Sequence, residues 1–224
     1  MEPEVNELHR RAPRRRPYDA RRRREAAEAS RKEVLAQSRR LFLEGGYGRT
    51  TIASIARAAG VSQESVYKGF GGKPGLVRAI YEQSLLGAGG PAAEERSDHA
   101  QVSVTDAGEL MDQLGGLAAE VSPLAAPVFL LIRDAAASGD QEMASLLRDV
   151  DDARYRRMLH NARQVLGRGF LRTDITEEEV ADVMFTCTSG ELFENLVLKR
   201  GWSNEQFGRF IARTLAANLL PEGE

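Results

Sequence analysis

The 224-residue sequence has few of the residues that build disulfides and metal centres. Cys187 is the single cysteine, which excludes an internal disulfide and a cysteine-rich zinc site. The three histidines, at positions 9, 99 and 160, lack metal-ligand spacing with another histidine, a cysteine or a carboxylate. We therefore expect no metal and no cofactor, and we interpret Cys187 as a small core residue.

Long apolar runs are missing too. The longest, about Leu124 to Ile132, contains Pro127 and is too short to span a bilayer. The first four residues, Met-Glu-Pro-Glu, lack the apolar core of a signal peptide. Apolar residues still make up 42% of the chain and charged residues 29%, which is ordinary for a globular protein. We expect a cytoplasmic protein with no membrane partner.

Sequence fingerprints of common enzymes are also absent. The stretch Gly71-Gly72-Lys73-Pro74 is not a phosphate-binding loop, because proline stands where Ser or Thr must bind magnesium. No G-x-S-x-G nucleophile motif and no dinucleotide-binding fingerprint occurs. We therefore expect no catalytic residues and no enzymatic activity.

Charge is distributed unevenly along the chain. Residues 1–84 carry 18 Lys and Arg against 10 Asp and Glu, whereas residues 85–224 carry 13 against 23. A basic first third joined to an acidic remainder indicates a polyanionic partner for the first part.

The basic charge is densest between Arg10 and Arg24, where nine arginines face one acid, Asp19. Because Pro13 and Pro17 interrupt this stretch, its first part should not be helical. We predict a partly disordered basic arm over residues 1–27 whose Arg21, Arg22, Arg23 and Arg24 contact nucleic-acid phosphates. The alternative is a solvated tail without a partner.

Apolar residues recur at helical spacing in many segments, and no segment sustains period-two alternation, which predicts an all-α fold. Residues 87–105, rich in glycine and polar side chains, are predicted to be a weakly ordered linker. We expect about nine helices, over residues 22–44, 52–59, 63–70, 74–86, 106–120, 122–138, 140–168, 176–200 and 203–220.

The segment from Thr50 to Phe70 has the pattern of a helix-turn-helix. Two short helices are joined by Gly60-Val61-Ser62, in which glycine permits the sharp turn and Ser62 caps the second helix. In such a motif the second helix enters the major groove and its first residues reach base edges. Tyr67 and Lys68, further along, are predicted to hydrogen-bond phosphates.

Together these features resemble the DNA-binding domain of the TetR family of bacterial transcriptional regulators. The resemblance covers roughly residues 28–88, with matching spacing and no insertion. Two positions depart from the family pattern, where Gly69 and Pro74 replace an aromatic or histidine and an acidic residue. The matching residues are Leu41-Phe42, Gly46-Tyr47, Thr50-Thr51, Ile55-Ala56, Ala59-Gly60-Val61-Ser62, Tyr67, Phe70 and Lys73.

The resemblance implies phosphate contacts from Thr51, Tyr67, Lys68 and Lys73, and base contacts from residues 63–65. It also implies that residues 89–224 form a helical effector-binding and dimerisation domain. The predicted DNA-binding set is Thr50, Thr51, Ser62, Gln63, Glu64, Ser65, Tyr67, Lys68, Lys73, Arg21, Arg22, Arg23 and Arg24.

The predicted helix over residues 176–200 carries apolar residues on more than one side, as a helix covered by both a core and a partner does, and the predicted helix over residues 203–220 is its natural partner in such an interface. The resemblance likewise implies a homodimer through these helices, bound to a palindromic operator in double-stranded DNA. We expect a repressor that a small apolar or amphipathic ligand releases.

The resemblance also implies a ligand pocket between the helices of the second domain. Candidate lining residues are aromatic, Met and Ile side chains, for which a core role is the alternative. A DNA-binding regulator without a small-molecule effector, constitutive or controlled by a protein partner, and a multi-helix scaffold remain rival hypotheses. The candidates are Phe129, Ile132, Tyr155, Met158, Met184, Phe185 and Phe193.

Overall fold

The structure is a computed structural model that describes residues 17–87 and 91–221. All regular elements in these two ranges are helical, which confirms the all-α fold class. The helices are α1 (Pro17–Gly45), α2 (Ile52–Ala59), α3 (Gln63–Phe70), α4 (Lys73–Ser84), α5 (Ala93–Ser103), α6 (Ala107–Ala137), α7 (Gln141–Leu166), α8 (Glu177–Cys187), α9 (Gly190–Phe193), which continues as a π-helical segment (Glu194–Lys199), and α10 (Asn204–Leu219).

The first four helices enclose one apolar core. Phe42 of α1, Ile55 of α2, Val66 of α3 and Leu76 of α4 are each at most 1% exposed and belong to one cluster. The same cluster includes side chains from α6 and α7, so the later helices complete this core. The second core lies among α5, α6, α7, α8, α9 and α10.

The chain from residue 93 to 103 is helical, so the prediction of a linker over residues 87–105 was wrong there. Two long-range ion pairs hold this helix in place. Arg157 of α7 donates to Asp98 over 2.7 Å and Arg96 donates to Glu120 of α6 over 2.5 Å. Because these partners lie far away in the sequence, local periodicity gave no sign of α5.

The fifth and sixth predicted helices are one helix, α6, which runs through Pro123 and Pro127. A proline inside a helix removes a backbone donor, so Pro123 and Pro127 leave the carbonyls of Ala119 and Pro123 without their N–H partners. Arg39 of α1 donates to the neighbouring Leu124 carbonyl over 2.7 Å and so attaches this part of α6 to α1. By length and hydropathy alone α6 would be long enough to cross a membrane, but it packs against α4, α7, α9 and α10 as a core helix.

The predicted helix over residues 176–200 is interrupted after Cys187. Ser189 caps a new helix by accepting the Leu192 N–H over 3.1 Å. A Cβ on Gly190 would lie 2.5 Å from the Phe129 ring, so glycine permits α9 to approach α6 closely. The helix starts predicted at Thr176 and Ser203 are confirmed, because Thr176 with Glu179 and Ser203 with Gln206 each form a capping box.

Candidate nucleic-acid interface and internal cavity

The turn between α2 and α3 is fixed at both ends by local hydrogen bonds. Thr51 caps α2 by accepting the Ser54 N–H over 3.1 Å, and the Ser54 hydroxyl accepts the Thr51 N–H in return. Gly60 lies in the left-handed region with φ of 67°. Ser62 then caps α3 by accepting the Ser65 N–H over 3.1 Å. This arrangement sets the direction in which α3 leaves the turn.

Helix α3 is attached to the core along a single line. Val66 is fully buried, Phe70 is half-buried, and the other six residues of the helix are exposed. Tyr67 is 54% exposed although it is a large aromatic residue. The exposed side chains include all of the predicted α3 contacts, Gln63, Glu64, Ser65, Tyr67 and Lys68. Their contacts with bases and phosphates stay predictions.

Thr50 does not lie on this surface, so its assignment to the DNA-binding set was wrong. Its side chain is buried, and its hydroxyl donates to the Leu41 and Gly46 carbonyls over 3.0 and 2.9 Å. The two adjacent threonines therefore have separate tasks: Thr50 joins α1 to the loop before α2, and Thr51 caps α2. Sequence spacing alone could not separate two identical neighbours.

Lys73 is engaged in contacts among the first four helices. Its Nζ donates to the Tyr47 carbonyl over 2.7 Å and lies 4.1 Å from the centre of the Tyr47 ring. Desolvation lowers the pKa of Lys73, against a smaller opposing effect of Asp140. The primary role of Lys73 in this geometry is to fix the start of α4 against the loop after α1.

Arg21, Arg22, Arg23 and Arg24 are part of α1, which begins at Pro17. The prediction that the helix starts near residue 22 was therefore five residues late, and residues 1–16 of the predicted arm lie outside the described residues. Residues 21–33 are all exposed, so this part of α1 extends from the body by about 20 Å at 1.5 Å per residue.

Arg31 connects this exposed part of α1 to α3. Its guanidinium lies 4.4 Å from the centre of the Phe70 ring and donates to the Gly69 carbonyl over 3.2 Å. The exposed part of α1 therefore continues past the carboxyl end of α3. The four arginines lie about two to three helical turns before Arg31.

A cavity of about 610 Å³ lies where the second core meets the first. Its walls come from α4, α5, α6, α7, α8, α9 and α10, and most of them are apolar. Three predicted lining residues, Phe129, Met158 and Met184, do line it. A volume of 300–1,000 Å³ with a few polar groups is typical of small-molecule sites.

The other four predicted residues do not line the cavity, and each has a packing role. Ile132 is fully buried in the first core, and Phe193 contacts Phe207 edge-on at 5.3 Å. Tyr155 and Phe185 contact each other edge-on at 5.6 Å between α7 and α8. Aromatic type and helical spacing cannot reveal which side of a helix borders empty space.

Several wall residues were missed by the sequence prediction. Tyr81 lies in α4 and Leu85 directly follows it, within residues 28–88 that resemble a DNA-binding domain. Ser97 lies in α5, which the sequence did not predict. Asn161 and Cys187 line the cavity as well. Burial raises the pKa of the Cys187 thiol to about 11, which agrees with its predicted place in the core.

Residues 34–80 match the family model described as bacterial regulatory proteins, tetR family. The HTH-type transcriptional regulator TtgR of Pseudomonas putida is 37% identical over 62 residues, which are 28% of this chain and 30% of TtgR. The match therefore spans less than a third of that relative's length.

Solved structures extend the similarity to most of the chain. The SmeT–triclosan complex has a TM-score of 0.69 at 17% identity and covers 87% of this chain and 93% of that one. NalD, the secondary repressor of the MexAB-OprM multidrug efflux pump in Pseudomonas aeruginosa, has a TM-score of 0.64 at 18% identity and covers 88% and 99%. At these identities the similarity establishes a shared fold.

Proposed function

We propose that this chain, whose residues 34–80 match the tetR family model, is a dimeric, cytoplasmic DNA-binding repressor of the TetR type that a small molecule releases from a palindromic operator. The observation that carries this proposal is α3, which is fixed by Val66 and presents its polar side chains to solvent beyond a helix-turn-helix turn. Such a helix fits the major groove of B-DNA.

We propose DNA contacts from exposed residues of α3 and from Thr51. Gln63, Glu64 and Ser65, in the exposed first turn of α3, would reach base edges. Thr51, Tyr67 and Lys68 are also exposed and would contact phosphates. Ser62, as the cap, orients the first turn rather than reading sequence.

The basic extension of α1 binds differently from the flexible arm predicted from sequence. A helix is about 10 Å wide, whereas the minor groove of B-DNA is about 6 Å wide, so Arg21 to Arg24 cannot enter that groove as a helix. We propose that they contact phosphates outside the bases read by α3, which adds affinity and salt dependence but little specificity.

Replacing Arg21, Arg22, Arg23 and Arg24 together by alanine should reduce the slope of log affinity against log salt by as much as about 3 to 4. The same change to the exposed Arg148 and Arg156 of α7 should leave the slope unchanged. Equal slopes for the four-arginine variant and the unchanged protein would contradict a contact between this part of α1 and DNA.

Ligand control is supported by the position of α4. Tyr81 and Leu85, at its carboxyl end, line the cavity, and its amino end follows α3 after only Gly71 and Gly72. A ligand that fits the cavity better when α4 is displaced would shift the population towards a dimer whose α3 spacing no longer fits the operator. A fully packed second core would have favoured a regulator without an effector.

Homodimerisation is proposed through the π-helical segment after α9 and through α10. Leu198 is 55% exposed in that segment, and Leu196, Val197 and Phe210 are half-buried beside it. Two-fold symmetry would place two α3 helices on half-sites of a palindrome.

The test of the proposal is selection of bound sequences from a random duplex pool at moderate salt, with purified full-length protein. We expect a two-fold symmetric consensus whose half-sites are about one helical turn apart, or a multiple of that distance. Binding that ignores sequence, or a consensus without symmetry, would contradict a dimeric operator-binding regulator.

A further inference from the structure

The cavity contains a buried polar cluster at one place in its otherwise apolar wall. Ser97 of α5 and Asn161 of α7 line the cavity and are 7% and 6% exposed. Gln101, one turn after Ser97, is fully buried behind them. Burying a neutral polar side chain costs free energy unless that side chain is hydrogen-bonded. The three residues of this cluster are hydrogen-bonded to one another.

The side-chain amide of Gln101 donates hydrogen bonds to both Ser97 and Asn161. Its Nε2 donates to Ser97 Oγ over 3.0 Å, to the Ser97 carbonyl over 3.1 Å and to Asn161 Oδ1 over 3.2 Å. In turn, neither the Ser97 hydroxyl nor Asn161 Nδ2 donates to any described residue. The two residues that face the cavity therefore retain unused donors.

Each cationic side chain in the same wall has an acidic partner, although the buried Nε of Arg154 donates to no described residue. Arg157 donates to Asp98 over 2.7 Å and to Glu94 over 3.1 Å. Arg154 donates to the Phe185 carbonyl over 2.7 Å, lies 3.5 Å from the centre of the Phe185 ring and has Asp151 at 3.4 Å. The carboxylates of Glu82 and Glu94 line the wall as well, so the wall has no net charge.

Resting on the effector role proposed above, we propose that the cavity binds an uncharged, largely apolar molecule with a hydrogen-bond acceptor such as a carbonyl. The acceptor oxygen takes hydrogen bonds from Asn161 Nδ2 and the Ser97 hydroxyl, and the apolar part contacts Phe129, Met158 and Met184. A carboxylate in this low-dielectric space would find Arg154 and Arg157 already paired with Asp151 and Asp98. An ammonium group would find Glu94 paired with Arg157 and, among the described wall residues, only the solvent-exposed Glu82 without an ion pair.

The first test is calorimetric titration of the full-length protein with three probes of equal chain length: undecan-2-one, undecanoate and undecylammonium, each below its micellar concentration. We expect undecan-2-one to bind at least about tenfold more tightly than either ion, since an unpaired ion loses its hydration on burial. Tighter binding of either ion, or no binding of the ketone, would overturn the proposal.

The second test removes the donors. Ser97→Ala should weaken undecan-2-one binding by about 3- to 10-fold, the contribution of one hydrogen bond. Ser84→Ala is the matched control, because Ser84 is also buried, at 5%, but donates to the Tyr81 carbonyl and does not line the cavity. Equal losses in both variants would overturn the assignment.

Asn161→Asp keeps an acceptor for Gln101 and replaces the free donor by a second oxygen. It should weaken binding of the ketone and strengthen binding of undecylammonium, which reverses the order of the probes. An unchanged order would overturn the proposal. Sequence selection on DNA is measured separately, so failure of the regulator proposal appears as loss of an operator consensus with ketone binding intact.

Discussion

The two cores of this protein are built in opposite ways. Around α2 and α3 the side chains Ile55, Val66 and Leu76 are completely buried, and each short helix is fixed by a side-chain cap or a left-handed glycine. The second core borders a cavity of about 610 Å³ and contains polar groups with unused donors. Under the proposed function, the helix that binds DNA is held rigidly, whereas the helices that admit a ligand leave space between them.

A matched pair of leucines tests this difference most strongly. Leu76→Ala in the first core should lower the free energy of unfolding by about 4 to 5 kcal/mol, and Leu215→Ala, beside the cavity, by about 2 to 3 kcal/mol. The second deletion loses fewer contacts because one side of Leu215 already borders empty space. Urea unfolding would measure both values, and equal losses would break the comparison.

Glycines offer a second contrast. A Cβ on Gly75 would overlap the Phe70 carbonyl oxygen, so Gly75→Ala must push α4 away from α3. We expect a loss of about 1 to 3 kcal/mol in unfolding free energy and weaker operator binding.

Gly116→Ala is the control for that variant, because nothing lies within 4 Å of the added Cβ in α6. It should stabilise the protein by about 0.5 to 1 kcal/mol and leave operator affinity unchanged. Thermal unfolding and a DNA titration report both quantities. Unchanged operator binding by Gly75→Ala would contradict the inference that DNA binding depends on the position of α4 against α3.

Two lysines sharpen the distinction within the first four helices. Lys68→Ala should reduce the salt slope of operator binding by about 1 with little change in stability, because Lys68 is exposed on α3. Lys73→Ala should instead lower stability, since it loses the hydrogen bond to Tyr47 and the contact with its ring. A reduced salt slope in Lys73→Ala, with lower stability in Lys68→Ala, would instead identify Lys73 as the main phosphate contact of the two.

The smallest effect concerns the thiol in the cavity wall. Because burial raises the pKa of Cys187 to about 11, its thiolate fraction stays low until the pH approaches that value. Alkylation by iodoacetamide at pH 8 should be slow in the folded protein and rapid in urea, with mass spectrometry as the readout. Rapid alkylation of the folded protein would mean that the second core opens far more often than the first.

The turns and helix starts were predictable because their determinants are local. Ser62, Gly60 and the Thr176 and Ser203 capping boxes all act within a few residues, so spacing reveals them. The burial of Thr50 and the contacts of Lys73 with Tyr47 could not be predicted, because sequence shows residue type but not packing.

The second core depends on partners far away in the chain. Helix α5 is held by Arg157, and α6 continues through two prolines beside Arg39. The cavity is a space that side chains fail to fill, and no residue pattern encodes such a space. Hence Phe129, Met158 and Met184 were found among the wall residues while Tyr81 and Ser97 were missed.

Helix α6 contributes to both cores: Leu110 and Met111 belong to the second, and Val128 and Ile132 to the first. Because α6 supports both cores, we expect heat unfolding to be a single cooperative event, with equal calorimetric and van't Hoff enthalpies as its test. This shared support also means that a fragment ending before α5 would leave Val77 and Ile80 without their covering and would not survive as an autonomous folding unit.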